Sequence, residues 1–228
     1  MNLKLKTNKG FTLVEIAIVL VIVGLLIGGV LKGQEMITNA KLKRIESDNA
    51  GIAAAMFSYQ DRYLQLPGDD SDAGSRFDAY STLAAKANGF GDGVIGAGTD
   101  WDDALVIADW AADTAAGAQE TAKFFAHLRA AGLVPGGGTD TTRPSNAYGG
   151  QIGIQDGSLL IAGHVTIFGQ IEGPIAKIIE ARLDDGLPQS GRVQGDLTDQ
   201  TMDSAATPVA SSVTAYTDAS RYNLAFRL

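Results

Sequence analysis

The most constraining stretch of this chain is Phe11–Leu31, FTLVEIAIVLVIVGLLIGGVL: 21 residues with one charge, Glu15. As a helix rising 1.5 Å per residue it would span roughly 30 Å, the thickness of a bilayer core. Before it stand ten residues, MNLKLKTNKG, cationic through Lys4, Lys6 and Lys9, without a carboxylate and ending in Gly10. Basic residues at one end of a span stay in the cytoplasm, so everything after Leu31 is expected outside it. A secretory signal peptide would have a shorter apolar region followed by a small-x-small site, and Lys32-Gly33-Gln34-Glu35 matches such a site poorly. The plain alternative is a signal anchor holding an unrelated domain. Glu15 argues against it, because a carboxylate in a membrane segment costs roughly 2.5–3.5 kcal/mol and so marks a function and a partner. A cut after Gly10 would create an α-amino cation four residues from Glu15, or near the Glu15 of a neighbouring copy.

Lys9-Gly10-Phe11-Thr12-Leu13-Val14-Glu15 resembles the prepilin motif of type IV pilins and type II secretion pseudopilins. The resemblance implies that a prepilin peptidase cuts between Gly10 and Phe11 and methylates the new amino terminus of Phe11. It implies too that Glu15 pairs with a neighbour's amino terminus during assembly. Many pilins carry a proline near the end of the membrane helix, where this chain has Lys32 among Gly28, Gly29 and Gly33. Glycine in a helix interior costs roughly 1 kcal/mol against alanine, so that stretch is expected either to loosen in a filament or to admit close helix packing.

No proline occurs between Phe11 and Leu66, so one helix of about 80 Å is expected over residues 11–63, ended by Pro67-Gly68. Met36, Ile37, Ala40, Leu42, Ile45, Ile52, Ala55, Met56, Tyr59 and Tyr63 recur at helical spacing and are expected to pack on the body. Residues 64–150 are rich in Gly/Asp turns, with a helix expected from Gln119 to Ala131, Phe124, Phe125 and Leu128 inward and Gly132 as its stop. The order YLQLPGDD, GFGDGVI, ETAKFFAHLRAAGLVPG resembles a large group of prepilin-like proteins. Gln151–Gln155 and Leu159–Phe168 alternate as strands of a hairpin turning at Asp156-Gly157-Ser158. A helix is expected from Ile171 to Leu183, with Pro174 in its first turn and Ile175, Ile178, Ile179 and Leu183 inward. Arg192–Gln194 and Tyr222–Leu228 are further strand candidates, and residues 196–220 an exposed loop. The expected plan is α+β: a 1–10 leader, an 11–63 helix whose 11–31 part crosses the membrane, and a 64–228 head with a small antiparallel sheet.

The 228 residues carry a net charge of -8, although three of the 18 basic residues lie in the leader, so the body is more acidic still. Such a body repels phosphate backbones, and no nucleic-acid partner is expected. The chain has no cysteine, which excludes disulfides, thiolate zinc sites and a cysteine nucleophile. Gly91, Gly93 and Gly96 form a literal G-x-G-x-x-G but lack a preceding strand and a following helix, and read as a loop. Asp69, Asp70, Asp72, Asp92, Asp184 and Asp185 raise calcium, which some pseudopilins bind, yet no EF-hand spacing is present and Asp beside Gly commonly forms turns. No other cofactor is expected. His127 and His164 stand apart and read as packing or surface residues, no nucleophile elbow occurs, and Trp101 and Trp110 fit either core or an adhesive patch.

The resemblance therefore implies a structural, non-enzymatic subunit of a type IV pilus or pseudopilus. Its partners would be copies of itself and related pilins, prepilin peptidase, the inner-membrane assembly machinery and membrane lipid. It would sit in the inner membrane before assembly and in an extracellular or periplasmic filament afterwards. The rival is a membrane-anchored binding protein or enzyme whose head does the work.

Overall fold

The computed structural model describes residues 11–77, 89, 91–95, 120–137, 142–197 and 211–228. The chain divides into two compact units, Met1–Lys41 and Leu42–Leu228. Helix α1, Leu13–Tyr63, supplies the described part of the first and opens the second. It runs through Gly28, Gly29 and Gly33 without a break in its assignment. It ends where expected: Leu64 adopts a left-handed φ of 58° and Pro67 follows.

In the second unit α1 buries Leu42, Ile45, Ile52, Met56 and Tyr59, spaced at three, four and seven as one helical face requires. The expected stripe began earlier, but Met36, Ile37 and Ala40 are exposed. A short helix α2, Ala73–Arg76, follows, then α3, Glu120–Ala130, one residue shorter at each end than expected. Phe124, Phe125 and Leu128 of α3 join the core. Gly132, at φ 70°, closes α3: its N–H reaches the Arg129 carbonyl at 2.9 Å, and Leu133 N–H reaches that of Leu128 at 2.9 Å. That pair of bonds is the Schellman stop, and only glycine takes the required φ without strain.

The sheet has four antiparallel strands in the order β1-β2-β4-β3: β1 Ile152–Ser158, β2 Ile161–Glu172, β3 Val193–Leu197 and β4 Arg221–Arg227. The hairpin is present, but Asp156, Gly157 and Ser158 belong to β1 and the turn is at Leu159-Leu160, with Leu159 at φ 53°. A bulge displaces it. Asp156 pairs with His164 and Ser158 with Ile161, so Ala162 and Gly163 oppose Gly157 alone.

β2 also continues past Phe168. A second bulge, with Gln170 at φ 63°, lets both Phe168 and Ile171 reach the main core although they stand three positions apart, an odd spacing that would put them on opposite faces of a regular strand. Ile171 and Glu172 are thus strand, and helix α4 begins at Gly173, running to Leu183 with Pro174 in its first turn. Its inward face is Ile175, Ala176, Ile179 and Glu180; Ile178 and Leu183 are exposed, contrary to the apolar pattern. Tyr222, Leu224 and Phe226 of β4 line the main core, while Ala225 turns the other way, into a smaller cluster with Val165 and Ile167. This is an α+β arrangement of pilin type: a long apolar amino-terminal helix and a small antiparallel head.

Candidate functional site

The start of α1 is built by Thr12 and Glu15. Thr12 precedes the first helical residue and its Oγ1 accepts the Glu15 N–H at 3.2 Å. In return Glu15 Oε2 accepts the Thr12 N–H at 2.8 Å and the Thr12 hydroxyl at 2.8 Å. This reciprocal arrangement is a capping box, which satisfies helix-start donors that otherwise lack partners. It gives the single carboxylate of the apolar segment a fixed place at the helix entrance. Phe11, 84% exposed, lies just ahead of it. Gly10 and the leader lie outside the described residues. The prepilin resemblance assigns no role to Thr12. The signal was there, because Thr12-x-x-Glu15 before an apolar run is the capping-box pattern.

From Leu13 to Leu31 the large apolar side chains are all exposed, Leu13 at 91%. A Leu or Ile left in water forgoes about 1.5–3 kcal/mol of burial, so a run of this length demands lipid or other helices as its surroundings. Within α1 this stretch is long and apolar enough to cross a membrane, and none of it is buried. A side chain built at Gly24, Gly28, Gly29 or Gly33 would meet nothing within 4 Å. Nothing inside one subunit therefore requires glycine there. Lys32 pairs with Glu35 at 2.8 Å on the exposed surface.

The other candidates are divided among separate structural tasks. Tyr59 donates its hydroxyl to Asp70 Oδ2 at 2.6 Å, and Arg76 Nε reaches the same oxygen at 3.1 Å. Burial, with the adjoining Asp70 carboxylate, pushes the Tyr59 hydroxyl far above its ordinary pKa, so it remains a donor. His127 is buried, its Nδ1 accepts the Gly68 N–H at 2.9 Å, and its ring stacks on Tyr59. It is a packing residue, as its isolation implied. Asp69 accepts backbone N–H groups from Gly91, Asp92 and Gly93 at 2.6, 3.1 and 2.8 Å. Two glycines of the G-x-G-x-x-G run thus donate to the chain's own carboxylate, as a turn does. Gly96 lies outside the described residues, as do Trp101 and Trp110. Asp92 caps its own turn through the Val94 N–H at 3.0 Å. His164 stands 3.1 Å from Asp156 across β1 and β2. Asp184 and Asp185 lie together at the end of α4.

Comparison with known families agrees with the amino-terminal geometry. Residues 5–31 match the prokaryotic N-terminal methylation motif. The chain therefore carries the prepilin signal found on type IV pilin and pseudopilin precursors. No curated protein and no solved structure matches it significantly.

Proposed function

We propose that this chain is a structural subunit of a type IV pilus or type II secretion pseudopilus filament. The observation that carries the proposal is a coincidence at one place. The methylation motif of residues 5–31 falls on a helix whose large apolar residues are all exposed, and Glu15 is held at that helix's first turn. A helix with that surface is completed by lipid before assembly and by neighbouring helices after it. Prepilin peptidase cuts between Gly10 and Phe11, Phe11 becomes N-methylated, and Glu15 pairs with the amino terminus of a neighbouring copy or a related pilin. Two opposite charges brought together in a low-dielectric bundle fix the axial register of one helix against the next. Repetition of one such head-to-tail contact generates an open helical fibre, with the inner-membrane machinery drawing subunits out of the bilayer. The acidic heads line the outside and offer nothing to nucleic acid.

Electron microscopy of surface-sheared material, with mass identification of an N-methylated Phe11 peptide, tests the proposal. Fibres containing that peptide are expected. If uncut precursor accumulates normally and no fibre forms, the chain is instead an anchored binding protein or enzyme.

A further inference from the structure

Most charges on the head are matched within it. Arg44, Arg76, Lys177, Arg182 and Arg221 stand beside Asp48, Asp70, Asp218, Glu46 and Glu172 respectively. Among the described residues of the second unit, the side chains of Lys43, Arg192 and Arg227 have neither an ion pair nor a hydrogen bond. On the acidic side the same holds for the carboxylates of Asp61 and Asp72. All five are exposed. Two of the cations are neighbours. Val193 of β3 pairs with Phe226 of β4, so Arg192 and Arg227 stand directly opposite, joined by the Arg227 N–H to the Arg192 carbonyl at 2.9 Å. Like charges placed opposite one another across two strands repel. The acids close by are engaged elsewhere: Asp184 accepts the backbone N–H groups of Arg192 and Val193, and Glu46 is held by Arg182 at 3.3 Å. Both arginines border a cavity of about 130 Å³ that Glu46 and Asn49 of α1 also line. It is smaller than the roughly 300 Å³ of a small-molecule site, and its size fits the carboxylate of a side chain.

The unmatched charges are also sorted along α1. Lys43 lies about one turn before Glu46, so the three cations gather where α1 enters the second unit. Asp61 sits in the last turn of α1, and Asp72 lies near that end, where Arg76 stands over the Tyr63 ring at 4.7 Å. From Asn49 to Asp61 the helix rises about 18 Å, too far for Asp61 to reach the arginines of its own head. Its own surroundings do not favour its charge. The carboxy-terminal end of a helix is itself partially negative, and the adjoining Arg62 is turned to the Ala131 carbonyl at 3.2 Å. The body carries more acids than bases, so heads brought together repel unless an exposed carboxylate meets unmatched cations. We propose that the Arg192–Arg227 pair of one subunit binds the Asp61 carboxylate of a second copy, head to tail. The inference rests on the filament reading above and adds a contact between heads to the one between helices. Paired guanidinium groups offer several N–H donors to one carboxylate. A contact between opposite ends of two heads repeats without closing, as an open fibre requires.

The test measures sheared-fibre yield from three full-length variants: Arg192→Glu with Arg227→Glu, Asp61→Arg, and all three substitutions together. Charge reversal is used because a like charge across an interface repels, whereas loss of one exposed pair changes little. The paired arginine reversal and the Asp61 reversal should each cut the yield at least tenfold, and the three substitutions together should restore it. Leader cleavage and the melting temperature in detergent micelles should stay unchanged throughout. The chain has no cysteine, so Arg227→Cys with Asp61→Cys can join only different copies, and oxidised fibres should run as a covalent ladder. Three results overturn the contact and leave the filament standing: normal yield from either reversal, a loss that the three together do not restore, or cysteine-bearing fibres without a ladder. A loss that is not restored assigns the arginines to a different anion, such as a lipid phosphate. If the unsubstituted chain forms no fibre, the contact and the filament reading fall together.

Discussion

Between Leu13 and Leu31, helix α1 leaves every large apolar side chain exposed; between Leu42 and Tyr59 the same helix buries Leu42, Ile45, Ile52, Met56 and Tyr59. Both stretches are helical although the first is rich in β-branched Val and Ile and holds Gly24, Gly28 and Gly29, so backbone propensity does not explain which of them packs. What separates them is the pattern of polarity around the helix. The first is apolar all round, which suits lipid or a bundle of like helices; the second alternates apolar and charged faces, which suits one packed side. A single secondary-structure element thus holds an uncovered apolar surface, which the proposed filament would use, and a folding surface. Damage to the first should abolish polymerisation and spare the head, and damage to the second should do the reverse.

The largest effect expected is on assembly. Glu15→Ala should abolish fibres in sheared preparations while the head keeps its melting temperature, and Gly10→Leu should leave the leader uncleaved by mass spectrometry. Fibres from Glu15→Ala would break the division outright. In the core that the second stretch joins, Phe124→Ala should cost about 3–5 kcal/mol by denaturant unfolding, and Ile45→Ala about 2–5 kcal/mol. Leu20→Ala, in the exposed stretch, should move the same measurement by less than about 0.5 kcal/mol. Tyr59→Phe removes one donor from buried Asp70 and should cost about 1.5–3 kcal/mol, although Arg76 remains.

Stability against pH sharpens the comparison further. Glu180 takes up its proton more readily folded, near 8, than at its ordinary 4.5, so the folded chain holds the extra proton between those values. Stability should therefore be greatest below about 4.5 from this group and fall as pH rises towards about 8, by at most about 1.4 kcal/mol per pH unit. Asp184, Asp185 and Tyr216 are the titratable groups facing it. Unfolding curves of Glu180→Gln should lack that slope. The smallest effect belongs to Lys32→Ala, which breaks an exposed ion pair and should shift stability by under about 1 kcal/mol.

The amino-terminal element was legible because its information is local. Leader, Gly10, Phe11, Glu15 and the apolar run follow one another in the chain, and the helix from Leu13 to Tyr63 needs only the absence of proline and a stop at Pro67. Strand and helix existence in the head was legible from periodicity as well. The errors cluster where periodicity is interrupted. Gly157 and Ser158 read as a turn because Gly and Asp usually make one, but a bulge absorbs them into β1 and moves the turn to Leu159. Ile171 read as helix because a Gly169-Gln170 break hid the continuation of β2. Ile178 and Leu183 read as inward because apolar residues usually are, whereas α4 turns Glu180 into the core instead.

By itself, then, the sequence determined that this chain starts with a prepilin signal on an apolar helix and continues into an acidic α+β head. Those properties depend on residue order and composition alone. Only the tertiary structure decided that α1 begins burying side chains at Leu42, that Asp70 receives the Tyr59 hydroxyl and that Asp69 gathers the backbone N–H groups of Gly91, Asp92 and Gly93. It alone brings Glu180 to Asp184 and Asp185 with one oxygen unsatisfied. Burial and convergence are set by what packs against each side chain, and the partner of Glu180, Tyr216, lies 36 residues further along the chain.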